Sequence, residues 1–313
     1  MSQNHPSILI ADEMHTSLFG MLDKAGFTYV YQPKITRAQL MDQLTPFQGL
    51  IIRSKTTVDE ELLTMAPNLQ FIGRAGAGLD LIDLDAVERR GIRVFHAGEG
   101  NRDAVAEHVV GMLLALLANI LKADREVRQG IWDREGNRGY ELGALTVGLI
   151  GYGNNGKATA RRLSGFGCQV LAYDKFLTNY GDTFATEASM EQIMAEADVV
   201  SLHIPLTDET RMMVDDTFIE EMSKPFYLVN IARGEIASLT SIVRGLEKGK
   251  LRGACLDVLE NEKLAKLTPD QQTAFDYLRQ SDRVILTPHV AGWTHESYVR
   301  INEVLVRQLA NQA

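Results

Sequence analysis

Apolar and polar positions alternate in blocks along nearly the whole chain. Short runs of Val, Ile and Leu are followed by longer segments in which apolar residues return with helical spacing. Continuous apolar runs suit strands covered on both faces. They predict strands at Ile8–Ala11, Thr28–Tyr31, Leu50–Arg53, Phe71–Gly73 and Ile92–Phe95 in the first third. Further along they fall at Val147–Ile150, Val170–Tyr173, Val199–His203, Tyr227–Ile231, Ala254–Val258 and Val284–Thr287. Strand–helix alternation of this kind implies parallel sheets flanked by helices, and eleven strands are enough for two of them.

One long helix is expected between the two sets of strands. Asn101 is its N-cap candidate, Asp103 lies in the first turn, and Arg125 and Arg128 sit near the far end, as the helix dipole favours. Val105, Val109, Met112, Leu113, Leu116, Leu117, Ile120 and Leu121 form an apolar stripe too wide for one contact surface. The stripe is either buried within one chain or shared with a second copy, and its width favours a homodimer through this helix. A last amphipathic helix, Ser297–Leu309, is expected to return to the first domain. The outer domain then comprises residues 1–99 and 291–313, and the inner one residues 100–290.

The composition, 45% hydrophobic and 23% charged over 313 residues, is that of a globular protein. A formal charge of -9 argues against nucleic acid or an anionic membrane as the main partner, but it leaves room for a local basic pocket and an acidic small molecule. Cys168 and Cys255 sit in apolar settings without metal-ligand spacing, so no metal is expected, and reduced buried thiols fit a cytoplasmic protein. The start MSQNHPSILIADE lacks a basic, then apolar, leader pattern. The stretch Val105–Leu121 carries Glu107 and His108, too interrupted for a membrane span.

The segment TVGLIGYGNNG reads as strand, tight turn and helix start. Gly151, Gly153 and Gly156 fit Gly-x-Gly-x-x-Gly: one for the turn, one for close approach to a pyrophosphate, one for helix–strand packing. Asn154 and Asn155 open the helix whose amides would face the phosphates. Asp174 ends the next strand, where a carboxylate can hold ribose hydroxyls and repel a 2′-phosphate. NAD is therefore the expected cofactor, with Lys175 a mild signal the other way. Ligands of open α/β sheets lie beyond the carboxyl ends of strands, and Arg233, Glu262 and His289 each follow one. Singly they read as a surface arginine, a solvated loop acid and a capping histidine. Together they supply a cation for a carboxylate, a proton carrier and an acid to tune it.

The phrases GLIGYGNNG, SLHIPLT, VNIARGE, GACLDV and TPHVAGW, in this order, resemble the D-isomer-specific 2-hydroxyacid dehydrogenase family. RSKTTV and GRAGAGLD extend the likeness over nearly the whole chain. The resemblance implies a Rossmann NAD-binding domain inserted in a discontinuous, flavodoxin-like substrate domain. It also implies hydride transfer between NAD and a D-2-hydroxy acid or its 2-keto acid. Arg233 would bind the substrate carboxylate, His289 would carry the hydroxyl proton, and Glu262 would favour the protonated imidazole. His295 is the nearest competitor as base. Asp257 would face the nicotinamide amide, with Ile231 and Ala232 lining the same region. His203 and Pro205 fall at the cofactor side, although a structural role suits His203 equally well.

In the first domain the resemblance assigns the backbone around Ala77 and Gly78 to the substrate carboxylate. Arg53, Ser54 and Arg74 would surround a phosphate, unless the arginines only pair with acids such as Asp80 or Asp83. These phrases, and Trp132-Asp133-Arg134, are most like the phosphoglycerate dehydrogenase branch, and the chain is too short for the regulatory domain that some of that branch carry. Substrates without phosphate (D-lactate, D-glycerate, glyoxylate or hydroxypyruvate) form the rival within the enzyme class, and an NAD-sensing co-repressor or scaffold the rival outside it. Three positions depart from the family. Asn155 stands for a small aliphatic residue in the glycine loop, Lys263 for the proline after Glu262, where it would loosen the loop, and Ala237-Ser238 for a Val-Asp pair.

Overall fold

The computed structural model describes residues 6–311. The extreme ends assigned above to the outer domain, residues 1–5 and 312–313, lie outside the described residues. The chain divides into two compact units, Met1–Asn101 with Trp293–Ala313, and Arg102–Gly292.

The first unit holds β1 (Ser7–Ile10), β2 (Thr28–Tyr31), β3 (Gly49–Ile52), β4 (Phe71–Arg74) and β5 (Arg93–His96). All are parallel, in the order β2-β1-β3-β4-β5, the flavodoxin-like arrangement. Successive side chains of a strand point to opposite faces. Leu9, Leu50 and Ile52 therefore pack on one side with Leu62, Leu63 and Val87, while Ile8, Ile10 and Ile51 pack on the other. That second face is covered by Leu18 and Leu22 and by Ile301, Leu305 and Leu309 of the last helix. This helix, His295–Ala310, starts earlier than its apolar stripe because Thr294 caps it: Thr294 Oγ1 accepts the Ser297 N–H and Ser297 Oγ accepts the Thr294 N–H, both at 3.0 Å.

The second unit holds β6 (Thr146–Ile150), β7 (Gln169–Tyr173), β8 (Thr186–Glu187), β9 (Val199–Leu202), β10 (Phe226–Asn230), β11 (Leu251–Leu256) and β12 (Val284–Leu286). Their order is β12-β11-β10-β9-β6-β7-β8, again all parallel. The chain runs outward from β6 to β8 on one side and returns to β9 on the other, so a topological switch point lies between β6 and β9. The edge strand β8 was not anticipated: its two residues are polar and exposed, and carry no apolar signature. Several apolar runs outlast their strands. His203, Ile231, Asp257 and Thr287 leave the ladder and become loop residues at the carboxyl edge.

The expected single long helix is two helices, Arg102–Leu117 and Ile120–Arg128, bent by 58°. Asn119 sits between them at φ 53, a left-handed conformation that asparagine tolerates better than most residues. The break is fixed from outside, because the Tyr140 N–H donates to the Leu117 carbonyl at 2.9 Å and Asn119 Nδ2 donates to the Arg138 carbonyl at 3.3 Å. The over-wide stripe is thereby resolved into two surfaces. Val105, Val109, Met112, Leu113, Leu116 and Leu117 are buried in the second unit, whereas Ile120 and Leu121 are 51% and 56% exposed. Asn101 does not cap the first helix through its side chain: Oδ1 is buried and accepts no hydrogen bond. Among the described residues no single helix is long and apolar enough to cross a membrane. Cys168 and Cys255 are free and buried, and burial pushes both thiols up.

Candidate active site

The loop after β6 is shaped by what its glycines cannot carry. Gly151 has φ +99, and a Cβ there would stand 2.6 Å from the His203 carbonyl oxygen, across the switch point. A Cβ at Gly156 would stand 2.2 Å from the Gly151 oxygen. At Gly153, by contrast, nothing lies within 4 Å of the Cβ position, so this is the open side of the loop. The helix Asn154–Leu163 begins there, with Gly153 at its N-cap, and its first amides have no intrahelical acceptor. Two polar atoms at this edge are buried without a hydrogen bond, Asn155 Oδ1 and His203 Nδ1. Such atoms are costly to leave unpaired, and the free first amides of the helix beside the gap at Gly153 are the donors that suit a phosphate. Pro205 continues the loop, its carbonyl accepting from Thr210 Oγ1 at 2.8 Å.

Asp174 closes β7 and gathers the loop. Its Oδ2 accepts from Tyr152 N–H at 2.8 Å, and Oδ1 accepts from Phe176 and Leu177 N–H at 3.0 and 3.3 Å. Oδ2 keeps one acceptor direction for a hydroxyl. Lys175 pairs with Glu209 at the surface. The His203 ring is 2.9 Å from Ser201 Oγ, and burial pushes its pKa down to about 4. A lowered folded-state value means the unfolded chain binds this proton first. The stability tied to the neutral ring is complete above about pH 6.5 and is lost as pH falls towards 4. Urea melts at pH 7, 6 and 5 are expected to give a steeper loss for wild type than for His203→Asn, amounting to about 3 kcal/mol over the whole window. Parallel slopes would refute the assignment.

The three candidate reacting groups follow adjacent parallel strands: Arg233 after β10, Glu262 after β11 and His289 after β12. His289 Nδ1 lies 2.9 Å from Glu262 Oε1, with the two side chains 47% and 48% exposed. A carboxylate at Nδ1 fixes that nitrogen as the protonated one and leaves Nε2 to exchange a proton. His289 itself is held at φ 55, its N–H donating to the Asp257 carbonyl at 2.7 Å. The Arg233 loop is pinned by Asn230, 1% exposed, which accepts from Ala232 N–H and donates to the Arg233 carbonyl at 2.9 Å. Arg233 Nη1 donates to the Ala232 carbonyl at 2.7 Å. Ile231 and Ala232 are buried, each in a different hydrophobic cluster of this unit.

Two expectations change here. Asp257 does not turn its carboxylate outwards. It is buried under the His289 loop, with Oδ1 accepting from Thr287 Oγ1 at 2.6 Å and Val290 N–H at 2.9 Å, and Oδ2 from Ala291 N–H at 2.8 Å. Lys263 does not leave the Glu262 loop loose, because Asn261 braces it, accepting from Lys263 N–H and donating to the Lys266 carbonyl, both at 3.0 Å. At the third departure Ser238 serves as helix cap, accepting from Ser241 N–H.

In the first unit Arg53 and Ser54 follow β3, and Arg74, Ala77 and Gly78 belong to the end of β4 and its loop. Asp12, 2% exposed, organises the first of these, accepting from Arg53 N–H at 2.6 Å, Lys55 N–H at 3.0 Å and Thr56 Oγ1 at 2.5 Å. The Arg53 guanidinium lies 3.9 Å from the Trp293 ring centre and 4.7 Å from that of Tyr298, and donates to Tyr298 Oη at 2.6 Å and the Glu13 carbonyl at 3.2 Å. Asp83 serves as a helix cap, accepting from Ala86 N–H. Arg74 folds back over Gly76, whose φ of +153 and missing Cβ make room for it, and donates to the Ala75 carbonyl at 2.9 Å. His295, the competitor to His289, lies in the first turn of the last helix.

A family model described as D-isomer specific 2-hydroxyacid dehydrogenase, NAD binding domain, matches residues 110–291. This chain belongs to that family. As a member of it, the chain carries an NAD-binding domain, and the glycine loop above falls inside the matched segment. It is 32% identical over 308 residues to a D-3-phosphoglycerate dehydrogenase of Archaeoglobus fulgidus, covering 98% of this chain but 57% of that one, so it spans little more than half of that relative's length. An (S)-sulfolactate dehydrogenase of Chromohalobacter salexigens is 37% identical over 273 residues, 86% of each chain. Among solved structures, a D-lactate dehydrogenase of Aquifex aeolicus with NAD and lactic acid superposes with a TM-score of 0.81 at 28% identity, over 97% of this chain and 94% of that one.

Residue types alone did not single out several residues that position the candidate side chains within each unit. Asn230 bonds its near neighbours Ala232 and Arg233, whereas Asp12 reaches Arg53, Lys55 and Thr56 far along the chain, and Trp293 and Tyr298 meet Arg53 from its other end, which no local motif records. A buried polar residue at a strand end is the only signal that the first two offer.

Proposed function

We propose that this chain oxidises a D-2-hydroxy acid bearing a second anionic group to the 2-keto acid, with 3-phosphoglycerate to 3-phosphohydroxypyruvate the first choice. The Glu262–His289 pair beyond β11 and β12 carries this reading, since a module that only binds NAD has no use for a poised proton carrier. Bound NAD⁺ supplies the acceptor for the hydride that leaves C2 of the substrate. Arg233 grips the substrate carboxylate and draws charge from the C2 oxygen. His289 Nε2 takes the hydroxyl proton as C2 becomes a carbonyl, and Glu262 stabilises the imidazolium. In reduction His289 returns the same proton.

The case for a second anion rests on Arg53. Stacking on Trp293 occupies the face of the guanidinium and leaves edge donors for oxyanions. A sulfonate offers the same oxygens as a phosphate, so the sulfolactate dehydrogenase relative supports this class as well. NAD reduction with 3-phosphoglycerate, 3-sulfolactate, D-glycerate and D-lactate tests the choice. Arg53→Ala is expected to cost the doubly anionic substrate about ten- to a hundredfold in kcat/KM, one charged hydrogen bond, and D-lactate less than about twofold. An equal loss on D-lactate would remove Arg53 from the substrate. We also propose a homodimer through the helix Ile120–Arg128, supported by the exposed side chains of Ile120, Leu121, Val127, Ile131 and Trp132.

A further inference from the structure

Asp257 receives more of the His289 loop than any other residue described above. Its side chain takes the Thr287 hydroxyl and the Val290 and Ala291 amides, and its main-chain oxygen takes the His289 amide. These bonds hold His289 at φ 55, a conformation an L-residue adopts only when its surroundings impose it. At the other end of the network stands His108, on the helix Arg102–Leu117 and far from His289 in sequence. His108 Nε2 lies 3.0 Å from Thr287 Oγ1 and 3.6 Å from Asp257 Oδ1.

The direction of the chain follows from proton counting. A carboxylate has no proton to give, so the single Thr287 hydroxyl proton goes to Asp257 across 2.6 Å. The Met112 sulfur, at 3.9 Å, is a far weaker acceptor than the carboxylate, so Thr287 Oγ1 is an acceptor towards His108, which must donate from Nε2. The hydrogen bonds run from His108 to Thr287 to Asp257, with the Val290 and Ala291 amides converging on the same carboxylate. Chains of this kind polarise one another and stiffen together.

We infer that His108 is a positioning residue for His289, acting through Thr287 and Asp257, and that it works as the Nε2–H tautomer. The inference rests on the proton-carrying role given to His289 above. Two kinds of measurement test it. Histidine-selective ¹⁵N NMR on the chain without nucleotide is expected to show His108 protonated at Nε2. The His289 ring resonance, identified by its loss in His289→Gln, is expected to shift in His108→Ala and Thr287→Val. It should return towards wild type in His108→Gln and Thr287→Ser, which keep a donor and a hydroxyl. A proton on His108 Nδ1 alone, or a His289 resonance unmoved by any variant, overturns the inference. In turnover, the Ala and Val variants are expected to lose about ten- to a hundredfold in kcat, the scale of a small misplacement of a reacting group, with KM for NAD within twofold. His108→Gln should recover most of that loss. A Gln variant as poor as the Ala variant, or a loss confined to KM, also overturns it. Wild-type protein inactive on every 2-hydroxy acid would sink the functional reading, while the NMR arm still decides the positioning chain.

Discussion

His289→Gln is expected to lower kcat by about 10²–10⁴ in both directions, the range of general acid–base assistance, while NADH still binds as it does to wild type. Glutamine can occupy the site and donate a hydrogen bond, but it cannot take up and release a proton near neutral pH. Its partner Glu262 approaches at 2.9 Å, and both side chains are about half exposed, so the exchange does not strand a deeply buried charge. Nor should the fold respond strongly, because the left-handed backbone at His289 is held by bonds to Asp257 from its own amide and those of Val290 and Ala291. Steady-state rates beside a fluorescence titration with NADH separate the two effects. A kcat within twofold of wild type would remove His289 from the chemistry.

The second large effect separates folding from binding within one loop. Gly151→Ala is expected to cost about 3 kcal/mol or more, combining a forbidden φ with overpacking. The new Cβ would meet the His203 carbonyl at 2.6 Å and Ile204 Cγ2 at 2.9 Å, and the backbone oxygen belongs to a neighbouring strand end that cannot retreat. At this size the penalty lowers Tm by about 6–12 °C. Gly153→Ala meets nothing within 4 Å and should melt within about 1 kcal/mol of wild type, the scale of losing a glycine N-cap. Its methyl stands where the loop opens, so NADH affinity should fall by at least about tenfold, the loss of about 1.4 kcal/mol. A Gly153→Ala protein that binds NADH normally would mean the pyrophosphate does not approach there.

Much of the architecture could be read from local pattern because parallel strands buried on both faces are short unbroken apolar runs. The wholly buried Gly49–Ile52 is of this kind, and Val199–Leu202 is interrupted only by the buried Ser201. What escaped was either too short or decided elsewhere in the chain. Thr186–Glu187 has no apolar residue, and its strand character comes only from lying beside β7. The bend at Asn119 depends on the Tyr140 amide reaching Leu117, a contact that helical periodicity cannot register. The candidate site divides the same way. Gly151, Gly153, Gly156 and Asp174 form a local motif and were legible as one. Asp257 was placed at the correct edge, but its orientation depends on Thr287, Val290 and Ala291, about thirty residues away. Trp293 and Tyr298 gain meaning only once they flank Arg53.

Asp174 also bears on how easily cofactor preference could be redesigned or could drift. Its carboxylate is a structural clasp, joining Tyr152 in the glycine loop to Phe176 and Leu177 beyond β7. A change to serine or alanine that admits a 2′-phosphate would release three backbone amides at once and loosen the glycine turn after β6. Neutralising the acid therefore works against affinity for either dinucleotide. Glu209, already paired with Lys175, would remain as a second negative charge close by. Accepting NADP is then a problem of grafting a whole segment from 174 to 177 with its own internal bonds, and single substitutions along that path should pass through poorly binding intermediates.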